Sequence, residues 1–233
     1  MPSITKVSLL SLFALSSTAA PTDSVPSKRA AASSTCPSYT IINTRGTGEP
    51  QGESAGFRTM NSQITSQLSG GKIYNTVYPA GLNQNSAAGT QDIINQISTT
   101  LESSPDECFI LQGYSQGAAA TVNALPSLTG ASFDAVKGVF LIGDPEHKSG
   151  LASNIDNNGG TTTKDANGLS AALSDGIPDN WISKTSDVCI FGDGVCDAAH
   201  GVGVNAQHLS YPADSSTQKL GASFAIEKLG GSS

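Results

Sequence analysis

Apolar positions along the chain repeat with two periods. Residues 39–44 (Tyr-Thr-Ile-Ile-Asn-Thr) are rich in β-branched side chains and predict a strand. Across residues 54–68, Phe57, Met60, Ile64 and Leu68 recur three or four positions apart, the spacing of one helix face, with Ser54 placed to cap its start. Residues 72–77 predict the next strand. Residues 87–101 predict a second amphipathic helix on Ile93, Ile94, Ile97 and Leu101, stopped by Pro105. The short apolar run 109–111 reads as a buried strand, 136–142 as another and 188–191 as a shorter one, and residues 215–229 close the chain as a helix. Residues 144–180 read mostly as loop, with one short helix near 169–173, and no internal repeat is present. Strands alternating with helices predict an α/β fold: a mostly parallel sheet of about five strands covered by helices on both faces, with no lid domain.

Composition narrows the function. A chain of 233 residues can bury one sizeable core. Only 13% of residues are charged, the formal net charge is -7, and no Lys/Arg cluster forms a basic stripe. Such a surface repels phosphate backbones, so no nucleic-acid partner is expected. Residues 1–20 read as a secretory signal peptide, with Lys6 as its positive end, an apolar stretch at 7–15 and small residues at 17–20. That stretch is too short to span a bilayer, and no other segment is apolar enough, so stable membrane insertion is not expected. Residues 21–29 end in Lys28-Arg29, a propeptide cut that would remove three cations against one anion and leave a more acidic chain. Residues 30–233 then form a single catalytic domain, secreted, extracellular and monomeric. No Asn-x-Ser/Thr sequon occurs.

Four cysteines in an exported chain predict two disulfides. Three pairings are possible; the short spacing of Cys189 and Cys196 suits a local bridge, which leaves Cys36 with Cys108. In the chain-entropy model the long bridge contributes about 4 kcal/mol and the short one about 2.5 kcal/mol. Neither the cysteine spacing nor the Asp/Asn-rich stretch 154–160 fits a metal-site pattern, so no metal is expected.

Gly113-Tyr114-Ser115-Gln116-Gly117 fits G-x-S-x-G, and it lies between the strand at 109–111 and a helix start rich in alanine. Strand, tight turn and helix are the context of a nucleophile elbow, which holds Ser115 out at the top of a sheet. A serine hydroxyl needs a base to take its proton and an acid to orient that base. The acid comes from a strand end beyond the nucleophile, where Asp144 and Asp193 qualify. Asp193 is preferred because it lies between Cys189 and Cys196, and Asp144, followed by Pro145, reads as a turn residue. Of three histidines, His208 is preferred as base over His200, and His147 breaks the chain order and reads as a surface residue. The backbone N–H of Gln116 supplies one oxyanion donor, and Thr47, at the tip of Gly46-Thr47-Gly48, supplies the other.

Arg45-Gly46-Thr47, the G-x-S-x-G element, Asp193 flanked by Cys189 and Cys196, and His208-Leu-Ser-Tyr211 occur in one order. Together they resemble the cutinase family, and most of all its small fungal cutinase-like esterases, over nearly the whole chain from Cys36. The resemblance implies a compact α/β-hydrolase with Ser115, Asp193 and His208 as triad, Thr47 and Gln116 as oxyanion hole, and the same two bridges. Thr47 stands where many cutinases have serine, a change that keeps the backbone donor. Val202 and Val204, on a glycine-flexed loop before His208, are candidates for an apolar rim around an acyl chain. The expected activity is hydrolysis of cutin, short- to medium-chain acyl esters and aliphatic polyesters through an acyl-enzyme, without cofactor, falling in acid as the base takes up a proton. An acetylxylan esterase and a lidless lipase share the constellation; a non-catalytic surface-binding protein would need it broken.

Overall fold

The computed structural model describes residues 1–3 and 36–231; the expected signal peptide from residue 4 onward and the expected propeptide with its Lys28-Arg29 end lie outside them. Six strands form one sheet: β1 (Tyr39–Thr44), β2 (Gly71–Asn75), β3 (Cys108–Tyr114), β4 (Val136–Ile142), β5 (Asn154–Ile155) and β6 (Thr185–Val188). Their spatial order is β2-β1-β3-β4-β6-β5, and every neighbouring pair is parallel. The helices are α1 (Arg58–Gln67), α2 (Ala87–Ser103), α3 (Gln116–Ala124), α4 (Ala131–Ala135) and α5 (Ser215–Lys228).

The near-continuous apolar strands follow from burial on both faces. Ile42, Leu111, Val139 and Leu141 point into one core with Ile93, Ile97 and Ala118 of α2 and α3. Ile41, Ile110, Phe140 and Ile142 point into the other with Met60, Ile64 and Ile226 of α1 and α5. Full burial of each such side chain stabilises by about 1.5–3 kcal/mol.

Three expectations shift. The sheet has one strand more than expected, because β5, only two residues long, pairs with β6 through Asn154 and Ile155 and is too short to show a period. The strand expected at 188–191 runs instead over Thr185–Val188, where Ser186 and Asp187 interrupt the apolar signal. Ser54 does not cap α1, which begins after Phe57. Its hydroxyl instead donates to Glu49 Oε2 at 2.8 Å and accepts from the Gly56 N–H at 3.2 Å.

Both bridges are present. Cys36–Cys108 ties the start of the fold to the central strand, and Cys189–Cys196 closes the turn after β6. Replacing the first pair by serine is expected to lower the unfolding free energy by about 4 kcal/mol, and the second by about 2.5 kcal/mol. Urea denaturation measures both, and an unchanged midpoint for the 36/108 variant would contradict the assignment.

Candidate active site

The site lies where the strand order reverses. From β1 the chain moves outward to β2, then crosses back to β3 on the other side of β1, so the loops after β1 and β3 diverge and leave a crevice. Ser115 sits between β3 and α3 with φ 54° and ψ -120°. A left-handed φ on a non-glycine residue costs on the order of 1–3 kcal/mol and persists only where its surroundings enforce it. Here a Cβ on Gly117 would lie 2.2 Å from the Thr44 carbonyl oxygen and 2.5 Å from that of Arg45. One on Gly113 would lie 2.6 Å from Ala118 Cα. The two glycines of the motif are thus required by close backbone approach.

The structure brings Ser115, His208 and Asp193 together. His208 Nε2 is 2.9 Å from Ser115 Oγ, and His208 Nδ1 is 2.9 and 3.0 Å from the two Asp193 carboxylate oxygens. Asp193 is fully buried and held from three directions. The disulfide brackets its turn, the Val195 N–H donates to Oδ1 at 2.9 Å, and the Tyr211 hydroxyl donates to Oδ2 at 2.7 Å. The Tyr114 hydroxyl donates to the His208 carbonyl at 2.6 Å. Burial, reinforced by nearby carboxylates including Asp193, pushes both phenols up, so they stay protonated and keep donating. Gly143 makes room for the imidazole: a Cβ there would lie 2.7 Å from His208 Cε1.

The loop after β1 is pinned from both sides. Glu49 accepts from the Gly46 N–H at 2.6 Å and the Ala55 N–H at 2.7 Å. The buried Arg45 guanidinium donates to the carbonyls of Glu49, Thr76 and Tyr78, and the Tyr78 hydroxyl donates to the Arg45 carbonyl. Among the described residues, the N–H groups of Thr47 and Gln116 donate to no protein acceptor, which leaves both open to a ligand. A third loop braces them. The Thr47 hydroxyl donates to Gln84 Oε1 at 3.1 Å, and Gln116 Nε2 donates to the Gly81 carbonyl at 3.1 Å. Ala80 (φ 49°), Gln84 (φ 58°) and Ser115 are the non-glycine residues with positive φ among those described; Gln84 and Ser115 line the site, and the Ala80 carbonyl accepts from the Gly48 N–H of the loop after β1 at 2.8 Å.

Two hollows flank Ser115. One, of about 200 Å³, includes Tyr114, Val204, His208, Leu209 and Pro212. The other, of about 340 Å³, includes Gln84, Gln116, Ala119, Glu146, Leu169 and Val204. Larger hollows of about 490 and 530 Å³ lie elsewhere, and their linings contain no histidine. Val204 lines both hollows at Ser115, whereas Val202 is 90% exposed and lines neither. His200 Nδ1 pairs with Asp197 at 2.8 Å and its ring stacks on Phe191. Asp144 does form a turn, accepting the Glu146 N–H at 2.9 Å, but it is fully buried. No group of three His, Cys, Asp or Glu among the described residues is placed to hold a metal.

His147 is not a surface residue. It is fully buried; Nδ1–H donates to Asp187 Oδ2 at 2.6 Å, and Nε2–H donates to the Thr163 carbonyl at 3.2 Å. The partner sits forty positions away on β6, so only the folded sheet reveals it. Burial alone would push its pKa down; the Asp187 carboxylate and its hydrogen bond, with Asp144 nearby, outweigh that and push it up to about 9. Sequence reasoning also gave no role to Tyr211, Glu49 or Gln84. Tyr211 carried a signal, three residues after His208, but nothing in the sequence marks Gln84.

The His147 pair predicts a pH dependence of stability. A pKa raised on folding from 6.5 to about 9 stabilises fully below 6.5 and is lost as pH climbs through 9. The loss is up to about 3 kcal/mol. His147→Gln is expected to flatten that alkaline decline in urea titrations run between pH about 6 and 10; an equally steep decline in the variant would refute it.

A family model described as cutinase matches residues 35–229. Carboxylesterase Culp1 of Mycobacterium tuberculosis is 29% identical over 205 residues, 86% of each chain. A cutinase of Monilinia fructicola is 26% identical over 214 residues, 88% of each chain. Among solved structures, a cutinase-like protein from Cryptococcus sp. has a TM-score of 0.84 at 66% identity, covering 86% of this chain and 98% of that one. The catalytic core of acetylxylan esterase from Trichoderma reesei, at 23% identity and a TM-score of 0.66, covers 83% of this chain and 99% of its own and has the same fold.

Proposed function

The chain belongs to the cutinase family and is a carboxylic ester hydrolase, and on that premise we propose that Ser115, His208 and Asp193 are its catalytic triad, acting on polymeric or lipid-like esters outside the cell. The observation that carries this reading is the unbroken run of contacts from Asp193 through His208 to Ser115, at 2.9 Å on each side of the imidazole. His208 takes the proton of Ser115 as its oxygen attacks the ester carbonyl. Asp193 fixes the ring with Nδ1–H toward the carboxylate and stabilises the imidazolium that forms. The N–H groups of Thr47 and Gln116 receive the oxyanion; each such donor is worth roughly 3 kcal/mol in the transition state. His208 then protonates the leaving alcohol, and water clears the acyl-enzyme by the same roles reversed. No metal or organic cofactor enters these steps.

The two hollows divide the substrate. The group that protonates the alcohol is His208, so the hollow it lines takes the alcohol portion. The other hollow, which reaches Gln116 and not His208, takes the acyl chain. Their mouths carry exposed apolar side chains: Leu169 at 56%, Leu209 at 62% and Val204 at 64%. An apolar rim on both sides of the serine suits cutin and aliphatic polyesters, which lie across a surface, better than acetyl groups on a hydrophilic xylan. Export to an oxidising compartment fits the two disulfides.

Ser115→Ala is expected to lower ester turnover by about four orders of magnitude or more with an unchanged melting temperature. Retained turnover would refute the triad. A rate comparison on butyrate esters, a polyester film and acetylated xylan separates the readings, and a preference for acetylated xylan would replace the polyester assignment with an acetylxylan esterase.

A further inference from the structure

His208 is carried by a stretch with little apolar packing to hold it. Among the described residues no helix or strand lies between β6 and α5, and none of residues 198–207 is buried. A base on such a segment keeps its place through polar ties. Two side chains supply them, one at each end of the His208 backbone. The Tyr114 hydroxyl donates to the His208 carbonyl, and the His208 N–H donates to Asn205 Oδ1 at 3.0 Å. The other end of the Asn205 amide, Nδ2, donates to the Gly192 carbonyl at 2.8 Å. Tyr114 directly precedes Ser115, and Gly192 directly precedes Asp193. The base is thus tied, through its own backbone, to the chain neighbour of each residue it must touch. An amide suits this task because it holds a donor and an acceptor that point apart; turned over, it would set Nδ2 against an N–H and Oδ1 against a carbonyl.

Gly192 is itself anchored. Its N–H donates to Asp197 Oδ2 at 3.0 Å, and the Asp197 N–H donates back to the Asp193 carbonyl at 2.7 Å. Asp197 is fully buried, and its carboxylate also takes His200 Nδ1 at 2.8 Å. A Cβ on Gly201 would lie 2.2 Å from the Gly192 carbonyl oxygen, and one on Gly194 would lie 2.3 Å from the Val202 backbone. The acid turn and residues 201–203 therefore lie backbone against backbone, and Asn205 extends that contact to the base.

We propose that Asn205 is a positioning residue for the triad: its amide sets the separation between the Asp193 turn and the His208 backbone, and so keeps the imidazole within contact of both Asp193 and Ser115. This rests on the reading of those three residues as the triad. Asn205 lines neither hollow at Ser115, so its loss leaves the substrate's surroundings as they are. A misplacement of about 1 Å, caused away from the chemistry, costs on the order of a hundredfold in rate. The effect falls on proton transfer in the transition state and not on substrate binding, so it appears in kcat and not in KM.

The test uses a soluble ester, 4-nitrophenyl butyrate, and two variants. Asn205→Ala removes both ties and is expected to lower kcat by roughly tenfold to a hundredfold with KM within about twofold of wild type. Asn205→Asp keeps an oxygen for the His208 N–H, and so keeps the cap of that turn, but has no donor for the Gly192 carbonyl. It is expected to stay slow by roughly tenfold. A carboxylate near an imidazole moves the midpoint of the pH profile, so rates are read on the alkaline plateau. The downfield NMR signal of the His208 Nδ1 proton, shared with Asp193, reports the same geometry without turnover and is expected to move or vanish in both variants. Wild-type kcat in either folded variant overturns the inference, and so does a change confined to KM. If Asn205→Ala does not fold, Asn205→Asp decides: wild-type kcat and an unmoved Nδ1 signal there make the residue a cap and nothing more. Ser115→Ala that still cleaves the ester overturns the triad reading beneath, whereas a dead Ser115→Ala beside a fully active Asn205→Asp strikes this inference alone.

Discussion

The close approach of α3 to the end of β1 is the constraint on which the site depends. With no side chain on Gly117, the first turn of α3 rests on the carbonyls of Thr44 and Arg45. That leaves the chain too little room to pass from β3 into α3 by an ordinary turn, and Ser115 absorbs the difference in a left-handed conformation. The same contact sets the end of β1 beside the start of α3. The N–H of Thr47 and that of Gln116 are then brought to one crevice by the sheet itself, and the local sequence needs only to keep them free.

Keeping them free takes more residues than the motifs contain. Glu49 draws in the Gly46 N–H, so the neighbouring Thr47 N–H is left unclaimed. Arg45, buried with no carboxylate partner among the described residues, satisfies its guanidinium on three backbone carbonyls and on Gln51 Oε1 and so stiffens the turn. On the other side of the crevice, Asp193 has a bridge, an N–H and a tyrosine hydroxyl fixing its orientation. Both arrangements spend polar groups on holding a few others still, which is the requirement of a site that works by preorganisation.

Legibility in the sequence followed the range of the interaction. The strand Val136–Ile142 is bounded as the apolar run predicts, because burial on both faces is written in its contiguous residues. The elbow was legible for the same reason: its glycines, serine and flanking elements are contiguous. Asp193 and His208 were legible through spacing and through a resemblance, and the geometry puts both beside Ser115. What escaped was non-local. The strand Thr185–Val188 was misplaced because Asp187 reads as polar until His147 is set against it. Val202 and Val204 look alike in sequence, and only the loop's path turns Val204 toward the serine. The brace from Gln84 depends on a backbone conformation that no residue type announces.

The three histidines show why geometry and not pairing selects a base. Each presents Nδ1 to an aspartate: His147 to Asp187, His200 to Asp197 and His208 to Asp193. The difference lies at Nε2. In His147 it faces the Thr163 carbonyl, which can only accept, so the ring is held doubly protonated and cannot take a proton at neutral pH. In His200 the side chain is 54% exposed and its free edge meets solvent. In His208 it faces a hydroxyl, the one neighbour of the three that has a proton to give. A carboxylate on Nδ1 orients an imidazole; only a proton-bearing partner on the opposite nitrogen lets the oriented ring act as a base, and this favours His208 independently of its place in the chain.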